Sequence, residues 1–275
     1  MNTVLVGLLS ETSIHPGAES SGGVVDLPVA REATTDYPVL MGSGLKGALR
    51  DIYVQSNGEK EAKTVFGDHD GAGGISVTDG RLLLLPVRSL TGHYRWVTCP
   101  YILERFQRDL ALAGLNAASF DIPNVEQNEA VAAVGGDIYL EELSFEVLEN
   151  KKAIESICQV MADLIYHQSV KERLTNQVVV ITDDEFKYFA RFGLPVNARN
   201  VLNDKTKTSK NLWYEETVPA DTLFYTLIIP RPGQEEQLNK VQKVFIKRPY
   251  LQVGGNETVG QGWCVISWLA KEESI

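Results

Sequence analysis

Residues 42–50 read GSGLKGALR, a glycine-punctuated run that opens a helix and sets the reading of the chain around it. Leu45, Leu49 and Ile52 form an apolar stripe, so the helix must lie against a core. Lys46 and Arg50 stand one turn apart on the opposite side. Free backbone N–H groups at a helix start, with two cations beside them, are the local chemistry that a phosphate needs. Gly42, Gly44 and Gly47 permit close approach of a ligand or backbone, and Ser43 is a candidate cap. On these residues alone the segment is equally an ordinary solvated helix start, and it lacks the GxxxxGK[ST] spacing of a P-loop. Just upstream, HPGAESSGGVVDLPVARE (15–32) places His15, Glu19 and Asp26 in a polar, glycine-rich run. One part could hold a polyanion and the other act on it.

Outward from that pair, strands and helices alternate. TVLVGLL (3–9), GRLLLLPVR (80–88), QVVVIT (177–182), DTLFYTLII (221–229), KVFIK (243–247) and GWCVISWLA (262–270) read as strands, several apolar on both faces. Helices are expected at GLKGALRDIYV (44–54), at PYILERFQRDLAL (100–112) with Pro100 in its first turn, and at KKAIESICQVMADLIYHQSV (151–170). In the last of these Ile154, Ile157, Met161, Leu164 and Ile165 form a core stripe. No internal repeat or low-complexity linker divides the chain. The expectation is one α+β domain spanning 1–275, with insertions and with a sheet covered on one side by helices.

Length and hydrophobic content support a substantial core, with 44% of the 275 residues hydrophobic. The apolar start MNTVLVGLLS is short, lacks a positive n-region and leads into no cleavage-like segment, and no later stretch is long enough to span a bilayer. The expected location is therefore cytoplasmic, with no membrane partner. Cys99, Cys158 and Cys264 are far apart and in no CxxC pattern, which suggests buried thiols and neither a disulfide framework nor a structural zinc. The net charge of -10 argues against a nucleic-acid partner, yet ten acids between Asp121 and Asp163, against Lys151 and Lys152, leave that window alone at -8. Two other stretches, Lys187–Lys210 and Lys240–Arg248, are locally basic.

A resemblance then becomes specific. HPGAESSGGVVDLPVARE, YPVLMGSGLKGALRD (37–51), FGDHDGAGGISVTDGRLLLLPVRS (66–89), NLWYEETVPADTLFY (211–225) and LQVGGNETVGQGW (251–263) occur in order across nearly the whole chain. Together they resemble the backbone-subunit family of type III-B CRISPR RNA-guided effector complexes, the fourth subunit of the Cmr complex. That family lies in the Cas-seven-type branch of the RAMP superfamily. The resemblance implies a modified RNA-recognition-motif (ferredoxin-like) palm with inserted fingers and a thumb β-hairpin, here at about 190–220. It implies copies of the chain stacked along a CRISPR guide RNA, with large, small and capping subunits and a target RNA as further partners.

Site roles follow from the same resemblance. Ser43, Gly44, Lys46 and Arg50 match the helix start that holds guide-RNA phosphates, in agreement with the residue chemistry. Lys205 and Lys207 fall in the thumb, which inserts between guide and target and disrupts pairing at regular intervals. GGNETVGQG (254–262) matches a glycine-rich loop that approaches RNA, although alone it reads as a turn between strands. Asp26 matches the aspartate required for cutting target RNA by attack of a ribose 2′-OH on the adjacent phosphate. A divalent metal, Mg2+ or Mn2+, is the implied cofactor, with Asp26 as its ligand. His15 is a candidate proton-transfer group. Glu215 or Glu216, with Glu216 preferred, stands at an acidic position that the resemblance ties to catalysis. By itself Asp26 reads as a turn or cap residue. Asp68, His69 and Asp70 in GDHDG read as a turn, His93 and His167 stand alone, and no serine- or zinc-hydrolase motif is present. The alternatives are a non-catalytic guide-RNA-binding subunit, a metal-independent enzyme that matures guide RNA, and a protein scaffold that works through the acidic window.

Overall fold

The computed structural model describes residues 3–17, 24–115 and 119–269. The first part of the chain holds β1 (Val4–Ser10), β2 (Val39–Leu40), α1 (Gly42–Asn57), α2 (Glu59–Phe66), β3 (Ile75–Val77) and β4 (Gly80–Arg88). A long middle part contributes β5 (Tyr94–Thr98), α3 (Pro100–Leu112), β6 (Glu129–Ala132), β7 (Ile138–Leu140) and β8 (Leu143–Glu149). It continues with α4 (Lys151–Ala162), α5 (Gln168–Gln177), β9 (Val178–Val180) and α6 (Asp183–Phe192), then the hairpin strands β10 (Val196–Leu202) and β11 (Ser209–Glu216). The chain ends with β12 (Leu223–Pro230), α7 (Glu235–Phe245), β13 (Tyr250–Gln252) and β14 (Trp263–Leu269).

All strands but β10 and β11 join one mixed sheet in the order β13-β14-β1-β12-β4-β5-β9-β6-β8-β7, with β2 on β4 and β3 on β12. From β14 to β5 the pairings are antiparallel, whereas β5–β9 and β6–β8 are parallel. The protein is thus α+β, as its composition of elements leads one to expect.

The sheet is covered on both faces, which corrects the expectation of a single helical layer. Gly7 pairs with Tyr225 and Ser267, and neighbouring Val6 pairs with Thr226 and Trp268, so the two sets point to opposite faces. On the first face Phe106 of α3 meets Tyr225 with ring centroids 5.1 Å apart. On the second, Phe245 of α7 meets Trp268 at 6.0 Å. The reason lies in β1 itself, whose seven residues are all buried and which must therefore be roofed twice.

Three elements depart from the sequence reading. KVFIK is not a strand: its first three residues close α7, whose buried Leu238, Val241 and Phe245 fall at helical spacing after Glu235 and Glu236 in the first turn. QVVVIT shortens to Val178–Val180, because Gln177 ends α5 and the Thr182 side chain caps α6 by accepting from the Glu185 N–H. Residues 151–170 are two helices. Between them Leu164 and Ile165 remain buried, and Leu164 crosses Gly7 so closely that a Cβ there would lie 2.0 Å from the Leu164 carbonyl oxygen. Cys99, Cys158 and Cys264 are buried free thiols, as expected. The site depends on one further consequence of this layout: β11 leaves the hairpin and leads into β12, so the hairpin springs from the centre of the sheet.

Replacing Gly7 by Ala should therefore lower unfolding stability by about 2 kcal/mol, as overpacking against backbone does. G47A, with nothing within 4 Å of its new methyl, should raise stability by about 1 kcal/mol through helix propensity. Urea denaturation of the two variants checks the pair.

Candidate functional site

The hairpin projects with both faces open. All of β10 except Arg199 is exposed, as are Leu212 and Tyr214 on β11, so apolar side chains stand in solvent on an arm that has no core of its own. Its tip is an Asn turn: the Asn203 Oδ1 accepts from the N–H groups of Lys205 and Thr206, leaving the Lys205 and Lys207 side chains outward. Only at its base does the arm become buried. There Glu215 is 3% and Glu216 6% exposed.

Successive residues on a strand point to opposite faces, and these two carboxylates accordingly engage different loops. Glu216 Oε1 accepts from Arg31 Nη2 at 2.7 Å and its Oε2 accepts from the Val29 N–H at 3.0 Å. Glu215 Oε1 accepts from Arg199 Nη2 at 3.1 Å and from Asn256 Nδ2. Glu216 thus binds the 26–31 loop, and Glu215 binds the C-terminal glycine-rich loop.

The 26–31 loop runs alongside β11 as a short parallel partner, with Leu27 opposite Glu215. The Leu27 N–H donates to the Tyr214 carbonyl, and the Glu216 N–H donates to the Leu27 carbonyl. This register exposes Asp26 while its Oδ2 accepts from the Tyr214 N–H at 2.8 Å. Among the described residues Oδ1 accepts no hydrogen bond. His15 is buried beside the same segment, its Nδ1 2.8 Å from the Glu216 carbonyl oxygen. A carbonyl only accepts, so Nδ1 is the donor in this contact, and Nε2 is the ring nitrogen that a neutral imidazole would offer as acceptor. The glycine-rich loop covers His15 from the other side: Gly255 donates its N–H to the His15 carbonyl, and Gly254, at φ +80, passes so close that a Cβ would lie 2.5 Å from that oxygen.

Three expected catalytic groups, His15, Asp26 and Glu216, therefore meet on one stretch of β11. Glu216 is revised in part. Its carboxylate is buried and both oxygens are taken, so it organises the loop instead of presenting a free acid. Glu19 lies outside the described residues. No cluster of three or more His, Cys, Asp or Glu able to hold a metal occurs among the described residues. The exposed Asp26 carboxylate, whose Oδ1 has no partner among the described residues, nonetheless suits Mg2+ or Mn2+, which binds through one or two carboxylates and completes its shell with water and substrate phosphate.

The other half of the site is the start of α1. Leu45, Leu49 and Tyr53 are buried, while Ser43 and Gly44 are exposed. Ser43 is not the cap: the helix begins one residue earlier, and Asp79 Oδ1 accepts the Gly42 N–H at 2.7 Å. Nothing lies within 4 Å of a Cβ built on Gly44, so the first turn is open. A groove of about 1240 Å3 joins this turn to the glycine-rich loop, lined among others by Ser43, Gly44, Arg248 and Gly255. Arg50 borders both that groove and a second hollow of about 860 Å3 shared with Lys46 and Lys63. Its guanidinium is paired with Glu59. The GDHDG segment forms the expected turn, with Asp68 Oδ1 accepting from the N–H groups of Asp70 and Gly71.

Arg31 and Asp79 escaped the sequence reading, whereas Arg199 and Asn256 lie in stretches that it marked only as a basic run and a glycine-rich loop. Arg31 sits inside the VARE stretch and Asp79 just before Gly80, but their partners are distant in the chain, and no local signal marks them.

The RAMP superfamily model matches residues 8–265. The Cmr endoribonuclease Cmr4 of Pyrococcus furiosus is 37% identical over 97% of this chain and 96% of its own length. The CMR subunit Cmr4 of Saccharolobus solfataricus is 27% identical over 89% of each chain. The crystal structure of oligomeric Cmr4 from Pyrococcus furiosus superposes with a TM-score of 0.81 at 32% identity, covering 99% of this chain and 100% of that one. The shared architecture and near-complete overlap place this chain in the RAMP superfamily and, within it, in the Cmr4 family of CRISPR Cmr-complex subunits.

Proposed function

We propose that this chain is a backbone subunit of a type III-B CRISPR effector complex, that it grips guide RNA at the start of α1, and that it cuts complementary target RNA at Asp26. The observation that carries the reading is the placement of an exposed Asp26 carboxylate at the base of a projecting hairpin, held by the Tyr214 N–H. The Pyrococcus relative's name as an endoribonuclease supports the activity. The oligomeric crystal form of that relative supports stacking of copies. Guide RNA, target RNA, further copies and the large, small and capping subunits are the proposed partners, and the cytoplasm the proposed location. No helix among the described residues is long and apolar enough to cross a membrane.

The fold suits the task. The succession β1–α1–β4, then β12–α7–β14, with spatial order β14-β1-β12-β4, supports reading these elements as a ferredoxin-like RNA-recognition palm. The β5–α6 region between β4 and β12 corresponds to inserted fingers, and β10–β11 to the thumb. Open backbone N–H groups at Ser43 and Gly44, with Lys46 and Arg50 beside them, bind phosphate without reading bases, as a guide of any sequence requires. The hairpin, with Lys205 and Lys207 at its tip and exposed apolar residues along its length, is suited to part a guide–target duplex.

Parting the duplex matters chemically, because a displaced nucleotide reaches the in-line geometry that an A-form helix forbids. The ribose 2′-OH then attacks the adjacent phosphorus, its proton passes to a base, and the P–O5′ bond breaks, the departing 5′ oxygen taking a proton from water. Asp26 orients the hydroxyl through its exposed carboxylate and would hold the divalent ion. When bound, that ion supplies charge stabilisation at the phosphate. His15, whose Nδ1 is engaged by the Glu216 carbonyl, is the proposed proton acceptor through Nε2.

Complex assembled wholly from D26A should retain guide RNA and lose regularly spaced cleavage by at least about 100-fold, the scale of a lost positioned catalytic group. Undiminished cutting would leave the non-catalytic subunit as the better description. The double change K46E/R50E should release guide RNA and flatten the slope of log affinity against log salt by about 2, one for each phosphate contact. A filter-binding titration across salt concentrations reads both numbers.

A further inference from the structure

We infer that Arg31 is a positioning residue for cleavage, a clamp that fixes the base of the hairpin against the loop carrying Asp26. The inference rests on the reading of Asp26 as the cutting residue. Its observational basis is the set of partners gathered by one guanidinium.

Arg31 Nη2 donates to Glu216 Oε1 at 2.7 Å, while Nη1 donates to the Ala190 carbonyl at 2.7 Å and to the Asp36 carbonyl at 2.9 Å. Ala190 lies in the last turn of α6, just before β10, and Glu216 is the last residue of β11. One side chain therefore ties the foot of β11 to the last turn of α6 and to the loop between Asp26 and Asp36. The side chains of the pair are only 16% and 8% exposed, so the ion pair is shielded from competing water and its geometry is rigid.

Both candidate catalytic groups depend on the segment so fixed. The Tyr214 N–H orients Asp26, the Glu216 carbonyl orients His15, and the Glu216 carboxylate holds the Val29 N–H of the Asp26 loop. A shift of Glu216 would carry Asp26 and His15 with it. Lysine cannot replace this arrangement, since one ammonium lacks the planar fork that reaches a carboxylate and two carbonyls at once. Arg191, which pairs with Asp36 at 3.4 Å across an exposed surface, provides the contrast.

The test uses complexes reconstituted with R31A, R31K, R191A or D26A, in single-turnover cleavage at saturating target RNA. Guide content and target affinity are measured on the same samples, along with amide hydrogen exchange of residues 24–31. R31A should cut about 100-fold more slowly and R31K about 10-fold, the penalty of a displaced reacting group. Guide content and target affinity should stay within about twofold of wild type, as that same positioning effect predicts, and R191A should match wild type. Exchange in 24–31 should rise in R31A. The inference is overturned by wild-type cleavage in R31A, by losses of cleavage that only track losses of guide or target binding in both Arg31 variants, or by unchanged exchange. Wild-type cleavage by D26A would instead defeat the assignment of Asp26, and the exchange measurement would still decide whether Arg31 clamps the loop.

Discussion

Two adjacent carboxylates buried at the foot of the hairpin constrain everything around them. A charge removed from water must be paired or it is strongly destabilising, and Glu215 and Glu216 meet that demand on opposite faces of one strand. Arg31 and the Val29 N–H satisfy Glu216; Arg199 and Asn256 satisfy Glu215. The arm beyond them has no core, so its direction is set at these contacts. The same contacts seat the Asp26 loop and the glycine-rich loop, which in turn encloses His15. Fold and candidate chemistry meet in three residues of β11.

Electrostatics divide along the chain in a way that the net charge hides. The acidic stretch 121–163 builds β6, β7, β8 and α4 at one end of the sheet, whereas β1, β12 and β14 lie toward the other end. α1, the glycine-rich loop and Arg248 line a common groove, and Lys46, Arg50 and Lys63 surround the adjoining hollow. Both spaces are of mixed charge, since Glu59 lines the two of them, with Asp51 and Glu257 in the groove and Asp68 and Asp70 in the hollow. The Arg50–Glu59 pair holds one of these cations in place on the ridge between the two spaces.

Much of this was legible in the sequence where the signal is local. GRLLLLPVR and PYILERFQRDLAL match β4 and α3 end to end, because an uninterrupted apolar run and a proline-led amphipathic period are both complete within the segment. KVFIK misled because the last three residues of α7 and the two that follow alternate like a strand, while Glu235 and Glu236, which open the helix, lie eight and seven residues earlier. The break after Ala162 was hidden because Leu164 and Ile165 stay buried without staying helical. In the site, the proposed grip of α1 followed from residue chemistry, but the proposed role of Asp26 came from resemblance. Arg31 and Glu216 are 185 residues apart, and Asp26 and Tyr214 188. Such long-range pairings leave no trace in local composition or spacing.

The central claim is that Asp26 and His15, seated by β11, direct a ribose 2′-OH onto the neighbouring phosphate at positions set by the hairpin. The most direct measurement maps the termini of target-RNA fragments released by the assembled complex. The account predicts cuts at a regular interval, each leaving a 2′,3′-cyclic phosphate on one fragment and a 5′-hydroxyl on the next. Fragments bearing 5′-phosphate and 3′-hydroxyl ends, or cuts without a regular spacing, would contradict it.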